Sequence, residues 1–122
     1  MSKPTSVKFQ KSGEVFVGIV RLASITAQRD LDDFSSIVLQ FVDKHEGSPF
    51  VLDFRHVRYL SSAVLGELVR IHQTVQDMGG ALRLCHLNPQ IREVFEVTRL
   101  HELIDIDATL RDSLEILKTD KT

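Results

Sequence analysis

Only one cysteine, Cys85, occurs in the 122 residues. No internal disulfide can form, so a reducing compartment is expected, with the cytoplasm as the location. Charge of one sign is not in excess. The net charge is −2 and the pI about 6.2, so neither a nucleic acid nor an acidic membrane is an expected partner. Long apolar runs are missing too. The start, Met1-Ser2-Lys3-Pro4-Thr5, has no apolar segment behind it, and no stretch reaches membrane-spanning length. Neither a signal peptide nor a membrane span is expected. Glycine-rich phosphate loops are absent, and Gly79-Gly80 reads as a helix stop. The five histidines, His45, His56, His72, His86 and His101, form no HExxH, and no Cys-x-x-Cys accompanies them. Neither a metal nor a cofactor is expected. Ser62 lies in no Gly-x-Ser-x-Gly elbow, so hydrolase chemistry, and enzymatic activity in general, is not expected.

Hydrophobic residues make up 43% and charged residues 26% of the chain, as in ordinary globular proteins. That length and composition suit one domain over residues 1–122, with a core of about 13–117 and loose ends at Met1 to Ser6 and Lys118 to Thr122. Val7 to Gln10 and Val15 to Val20 read as a hairpin turning at Ser12-Gly13. Leu31, Phe34, Val38 and Phe41 mark one face of a helix, with Asp30, Asp32 and Asp33 suited to its first turn. Gly47 and Pro49 end it. Phe50 to Phe54 reads as a buried central strand. Val64, Leu68, Ile71, Val75 and Met78 follow helical spacing. Leu82 and Leu84 belong to the next strand, where Cys85 reads as a buried thiol. Asn88 is suited to cap a helix with Pro89 at its first position and Ile91, Val94 and Phe95 as its apolar face. Leu103 to Ile106 reads as a last strand, and Leu110, Leu114 and Leu117 as a last helix starting near Ala108. A hairpin followed by alternating helices and strands predicts an α/β fold. Its central sheet is mostly parallel, with right-handed crossovers and about four flanking helices.

The segment Tyr59-Leu60-Ser61-Ser62-Ala63-Val64-Leu65-Gly66 joins the Phe50–Phe54 strand to the helix from Val64. It therefore lies at the sheet edge where α/β proteins place their sites. A helix N-terminus offers free N–H groups and partial positive charge, which suits a phosphate on Ser61 or Ser62. The plainer reading is that one serine caps the helix. Asp53 ends its strand near the serine pair, where the plain expectation for a carboxylate is solvation.

With these residues in view, the chain resembles the STAS domain family, and within it the bacterial anti-sigma factor antagonists. The resemblance runs from about Gly13 to Leu117 and is strongest in an ungapped block from Val51 to Ile106. There the family has a strand, a D-S-[ST]-G-L-G loop, an amphipathic helix, Gly-Gly, a strand, then S-P or N-P opening a helix that ends in F-x-x-x-x-L. This chain has Ser61-Ser62-Ala63-Val64-Leu65-Gly66, Gly79-Gly80, Asn88-Pro89 and Phe95 to Leu100 at matching spacing. It departs at Ser61 for the loop aspartate, Ala63 for the second hydroxyl residue and Val64 for the glycine. Ser24-Ile25-Thr26-Ala27 stands where the family has G-E-L-D.

The resemblance implies a STAS-like fold and an antagonist that binds its kinase unmodified and lets go when phosphorylated. That kinase doubles as the anti-sigma factor, and a phosphatase reverses the modification. The phosphorylated position aligns with Ser62, with Ser61 as the less favoured acceptor. The expected docking surface is Arg58, Tyr59, Ser61, Ser62 and the first exposed helix positions, Gly66, Glu67 and Arg70. Tyr59 reads either as an interface anchor or as packing under the loop. The lost acidic positions keep open a scaffold or assembly subunit in which Ser62 is only a helix cap.

Overall fold

The structure, a computed structural model, describes residues 6–119. The end segments expected to be loose fall mainly outside the described residues. Within them, Ser6 is buried and its carbonyl accepts the Arg21 N–H at 2.7 Å, while Lys118 belongs to the last helix. Those two positions are therefore part of the fold.

Strands β1 (Val7–Ser12) and β2 (Val15–Val20) form the expected antiparallel hairpin. Its turn falls one residue later than expected, on Gly13-Glu14, where Gly13 takes the left-handed φ of 63° that glycine adopts without a Cβ clash. Helix α1 (Gln28–Lys44) leads to β4 (Pro49–Asp53), and α2 (Ser62–Asp77) leads to β6 (Ala81–Cys85). Helix α3 (Pro89–Val97) leads to β7 (Asp105–Asp107), and α4 (Leu110–Thr119) follows. The five-stranded sheet has the order β1-β2-β4-β6-β7, and every pair after the hairpin is parallel. This is the α/β architecture that the alternation of elements called for.

Alternating side chains along each strand point to opposite faces, and the two faces carry different loads. Phe50, Leu52, Leu82 and Leu84 meet Phe34 and Val38 of α1, Leu68 and Ile71 of α2, and Ile91 and Phe95 of α3 in the main core. Val15, Val17, Val51 and Cys85 face the other way, under Leu110, Leu114 and Leu117 of α4. Gly79 stops α2 with a φ of 81°, and the Gly80 N–H returns to the Val75 carbonyl at 2.9 Å. Such a 6→1 bond closes a helix whose next residue is left-handed.

Several boundaries differ from the sequence reading. Helix α1 begins at Gln28, so only Asp30 of the three aspartates lies in its first turn. Helix α2 begins at Ser62, not Val64. Val94 is 43% exposed and so is not part of the buried face of α3. The last strand is Asp105–Asp107 rather than Leu103 to Ile106. Arg99 turns left-handed after α3, a 3₁₀ turn covers Leu100–Glu102, and Leu103 is left 45% exposed. Two short strands, β3 (Ser24–Ile25) and β5 (Tyr59–Leu60), pair in parallel as a separate small sheet.

Candidate functional site

The loop after β4 is held in place by backbone groups. Arg58 N–H and Tyr59 N–H both donate to the Ala23 carbonyl, at 2.7 and 3.2 Å, and Ser61 N–H donates to the Ile25 carbonyl at 3.0 Å. Asn88 ties the same loop to α3. Its Nδ2 donates to the Arg58 carbonyl at 3.1 Å, while its Oδ1 accepts the Ile91 N–H at 2.8 Å. The predicted Asn88 cap is thus present, and it also sets the spacing between the loop and α3.

Ser61 occupies the N-cap position of α2 with extended backbone, and its side chain makes no capping bond. Ser62 is the first helical residue and is exposed. The plain capping reading is therefore not what this loop does. Buried Val64 and Leu68 hold the first turns of α2 on the core, which turns Ser62, Ala63 and Gly66 outward. A Cβ added at Gly66 would have nothing within 4 Å, so that position fronts open solvent.

Beside Ser62 lies a cavity of about 330 Å³ between the N-terminal turns of α2 and α3. Arg58, Tyr59, Ser61 and Ser62 line it, as do Leu60, Leu65, Gln90, Ile91 and Val94. Four of the seven expected docking residues are thus gathered in one place. Gly66, Glu67 and Arg70 lie off it on α2. Tyr59, at 62% exposure, stands at the mouth and does not pack under the loop. Glu67 is not an exposed position. It is half-buried and accepts the Ser35 hydroxyl of α1 at 2.6 Å, and Arg70, itself exposed, pairs with it at 3.4 Å. The α3 wall escaped the sequence reading. Asn88-Pro89 was its signal, because a capped helix starting at the end of β6 opens on the same sheet edge as α2.

A second polar cluster lies at the same end of the sheet, on the α4 face. Asp53 is fully buried and not solvated. Its Oδ1 accepts the Arg55 backbone N–H at 2.9 Å, and its Oδ2 accepts from the Arg55 guanidinium at 2.9 and 2.7 Å. The next residue, buried Phe54, points the opposite way into the main core. Cys85 and His86 place ligand-type atoms within 4.8 Å of one another and of Asp53, a grouping that the scattered histidines of the sequence did not show. Each is already committed. His86, at a φ of 57°, accepts the Leu110 N–H on Nε2 at 3.1 Å. Burial, then the Asp53 charge, pushes the Cys85 thiol up to about 12, so it stays protonated. Native protein at pH 8 is accordingly expected to leave Cys85 unreacted with an aromatic disulfide reagent, with full reaction only after denaturant is added. A stoichiometric absorbance change without denaturant would contradict this.

A model of the STAS domain matches residues 9–113. The chain belongs to the STAS domain family. This STAS domain is 40% identical over 57 residues to a protein of Bordetella bronchiseptica named anti-sigma factor antagonist BtrV, covering 47% of the chain and 48% of that protein. It is 32% identical over 63 residues to the anti-sigma-B factor antagonist of Bacillus subtilis, covering 52% of the chain and 58% of the relative. The chain thus spans about half the length of the curated relatives it matches. A crystal structure described as an anti-sigma factor antagonist from Thermotoga maritima superimposes with a TM-score of 0.80 at 20% identity, covering 92% of the chain and 94% of that protein. At that identity the likeness shows the fold. Among the described residues, no helix is long and apolar enough to cross a membrane.

Proposed function

We propose that this STAS domain is an anti-sigma factor antagonist, a protein-binding module of a bacterial partner-switching pathway that is switched by phosphorylation of Ser62. The observation that carries the reading is the exposed Ser62 hydroxyl at the first position of α2, on the rim of the cavity beside β5. A kinase can reach it there, and the loop around it is rigidly anchored. A phosphate would add about −1.5 to −2 charges next to the helix N-terminus and in the cavity that Arg58 also lines. In the modified protein that charge is stabilised locally, while an apolar partner surface would have to desolvate it. The partners are a serine kinase that acts as the anti-sigma factor and a phosphatase that restores the binding form. The domain itself performs no catalysis in this reading. The kinase step uses ATP, so the setting is the cytoplasm. Docking centres on Arg58, Tyr59, Ser61 and Ser62, with Gly66 and Arg70 as its outer edge on α2.

Ser62→Asp is expected to weaken capture of the kinase partner from native lysate. Ser62→Ala should bind it and resist release by ATP. Aspartate carries less charge than phosphate, so the Ser62→Asp effect is partial. Ser61→Ala serves as the control and should leave phosphate incorporation at Ser62 in place, as read by mass spectrometry. A constitutive scaffold is the second reading, favoured by Ser61 and Ala63 standing in place of the family's aspartate and second hydroxyl residue. Equal capture of every partner by Ser62→Asp and wild type, with no phosphate found in any growth state, would decide for the scaffold.

A further inference from the structure

The cavity beside Ser62 has an electrostatic character that specifies its occupant. None of its lining residues is acidic, and Arg58 is the one charged side chain among them. No ion pair among the described residues engages Arg58, whereas Arg55, Arg70, Arg83 and Arg99 are all paired with carboxylates. The cavity lies beside the N-terminal turns of α2 and α3, and neither helix has an acidic residue in its first turn. Both helix ends therefore contribute positive partial charge that no acidic side chain offsets, with one N–H of α3 taken up by the neutral Asn88 cap. Of the nearby carboxylates on the two helices, Glu67 of α2 is held by Ser35 and Arg70, and Glu93 of α3 is exposed and outside the lining. Within this positive frame the interior is apolar, formed by Leu60, Leu65, Ile91 and the exposed Val94. At about 330 Å³ it sits at the lower end of ligand pockets, about 300–1,000 Å³. It suits one large side chain of a partner, the arrangement by which interfaces anchor.

We infer that this cavity docks an acidic, apolar segment of the partner protein, with one aliphatic or aromatic side chain in the cavity and flanking carboxylates against Arg58 and the two helix ends. The inference rests on the proposed reading that this loop is a docking surface, and it adds the chemistry of what docks. It follows from charge complementarity, which fixes partner choice and orientation more than bulk affinity. It also gives phosphorylation a direct means of release. A phosphate on Ser62 would bring like charge to the place that the partner's carboxylates occupy and would compete with them for Arg58.

The test is a titration of the whole ¹⁵N-labelled chain, followed by amide NMR, with acetyl-Asp-Leu-Phe-Asp-amide and acetyl-Lys-Leu-Phe-Lys-amide. The acidic peptide should shift the signals of Ser62, Ile91 and Val94 and bind about tenfold more tightly than the basic one. Arg58→Glu, an exposed position whose variant is first checked by its thermal melt, should abolish or reverse that preference. Ser62→Asp should weaken the acidic peptide. Equal or stronger binding of the basic peptide overturns the inference. So does an unchanged preference in Arg58→Glu, or the absence of shifts with either peptide up to about 5 mM, beyond the range of millimolar affinity. If the acidic peptide fails while Ser62→Asp still weakens partner capture from lysate, the charge inference falls and the switch reading stands. If the acidic peptide binds wild type while Ser62→Asp alters neither its binding nor partner capture, the docking chemistry stands and the switch reading falls.

Discussion

Replacing Leu68 by alanine is expected to lower the unfolding free energy by about 2–5 kcal/mol, the range for truncating a buried leucine. Leu68 has no exposed surface and sits in the main core with Val64, Ile71 and Val75 of the same helix face. That core also holds Phe34 and Val38 of α1 and the sheet residues Phe50 and Leu52. Interiors are packed close to crystal density, so neighbours anchored on three elements relax only partly into the space left. Gln73 projects from the opposite, exposed side of α2, and Gln73→Ala should stay within about 0.5 kcal/mol. Urea melts of the two variants check this. Similar losses at the two positions would mean that α2 is rotated about its axis relative to the sheet.

Arg83→Met is expected to cost about 2–3 kcal/mol at pH 7, the range for breaking charged hydrogen bonds in a largely enclosed pair. The guanidinium grips Asp107 with two bonds, Nε to Oδ2 at 2.6 Å and Nη2 to Oδ1 at 3.0 Å, and reaches Asp105 at 3.2 Å. Ser113 of α4 donates to the same Asp107 oxygen at 2.6 Å. The Arg83 side chain is 16% exposed and that of Asp107 8%. Losing Arg83 would therefore leave a carboxylate with little water to replace it. Methionine keeps most of the aliphatic stem, which separates the charge effect from packing.

The pH dependence has a definite sign. Burial opposes ionisation of Asp107, but the bonds from Arg83 and Ser113 outweigh it and hold the carboxyl below its ordinary value. A carboxylate depressed in the folded state contributes stability that is complete above its unfolded value, about 3.9 for aspartate. That contribution is lost as pH falls through the lower, folded value. The gap between wild type and Arg83→Met should thus be widest near neutrality and should close as the pH falls below about 4. Melts at stepped pH values read it directly. A gap that stays constant down to pH 3 would show that Asp107 does not carry the effect.

Much of the candidate site was legible because its signals are local. Asn88-Pro89 fixed the start of α3 and Gly79 the end of α2, since a cap bond and a left-handed residue depend on a few neighbouring atoms. Ser62 was placed at the head of α2 from the apolar spacing of Val64, Leu68 and Ile71. What escaped depends on partners distant in sequence. Ser24–Ile25 and Tyr59–Leu60 are strands only because they meet each other, and two residues carry no period. Leu103 looks like a strand residue by composition, yet the left-handed turn at Arg99 moves the pairing to Asp105–Asp107. There Arg83 on β6 meets both aspartates of the strand.

The sequence alone determined the order of the hairpin, the four helices and the main-sheet strands, the buried faces of α1 and α2, and the serine pair at the head of a helix. Each follows from periodicity and capping within a short window of chain. Only the tertiary structure decided that Glu67 is tied to Ser35 and not free to dock, that Asp53 is buried against Arg55 and not solvated, and that Tyr59 stands out at the mouth of the cavity. It also decided that the heads of α2 and α3 converge on one apolar cavity with Arg58 at its edge. The reason is physical. Burial and charge pairing are set by what lies across a gap in space, and the chain brings those partners together from about 30 residues apart, as Asn88 and the Arg58 carbonyl show.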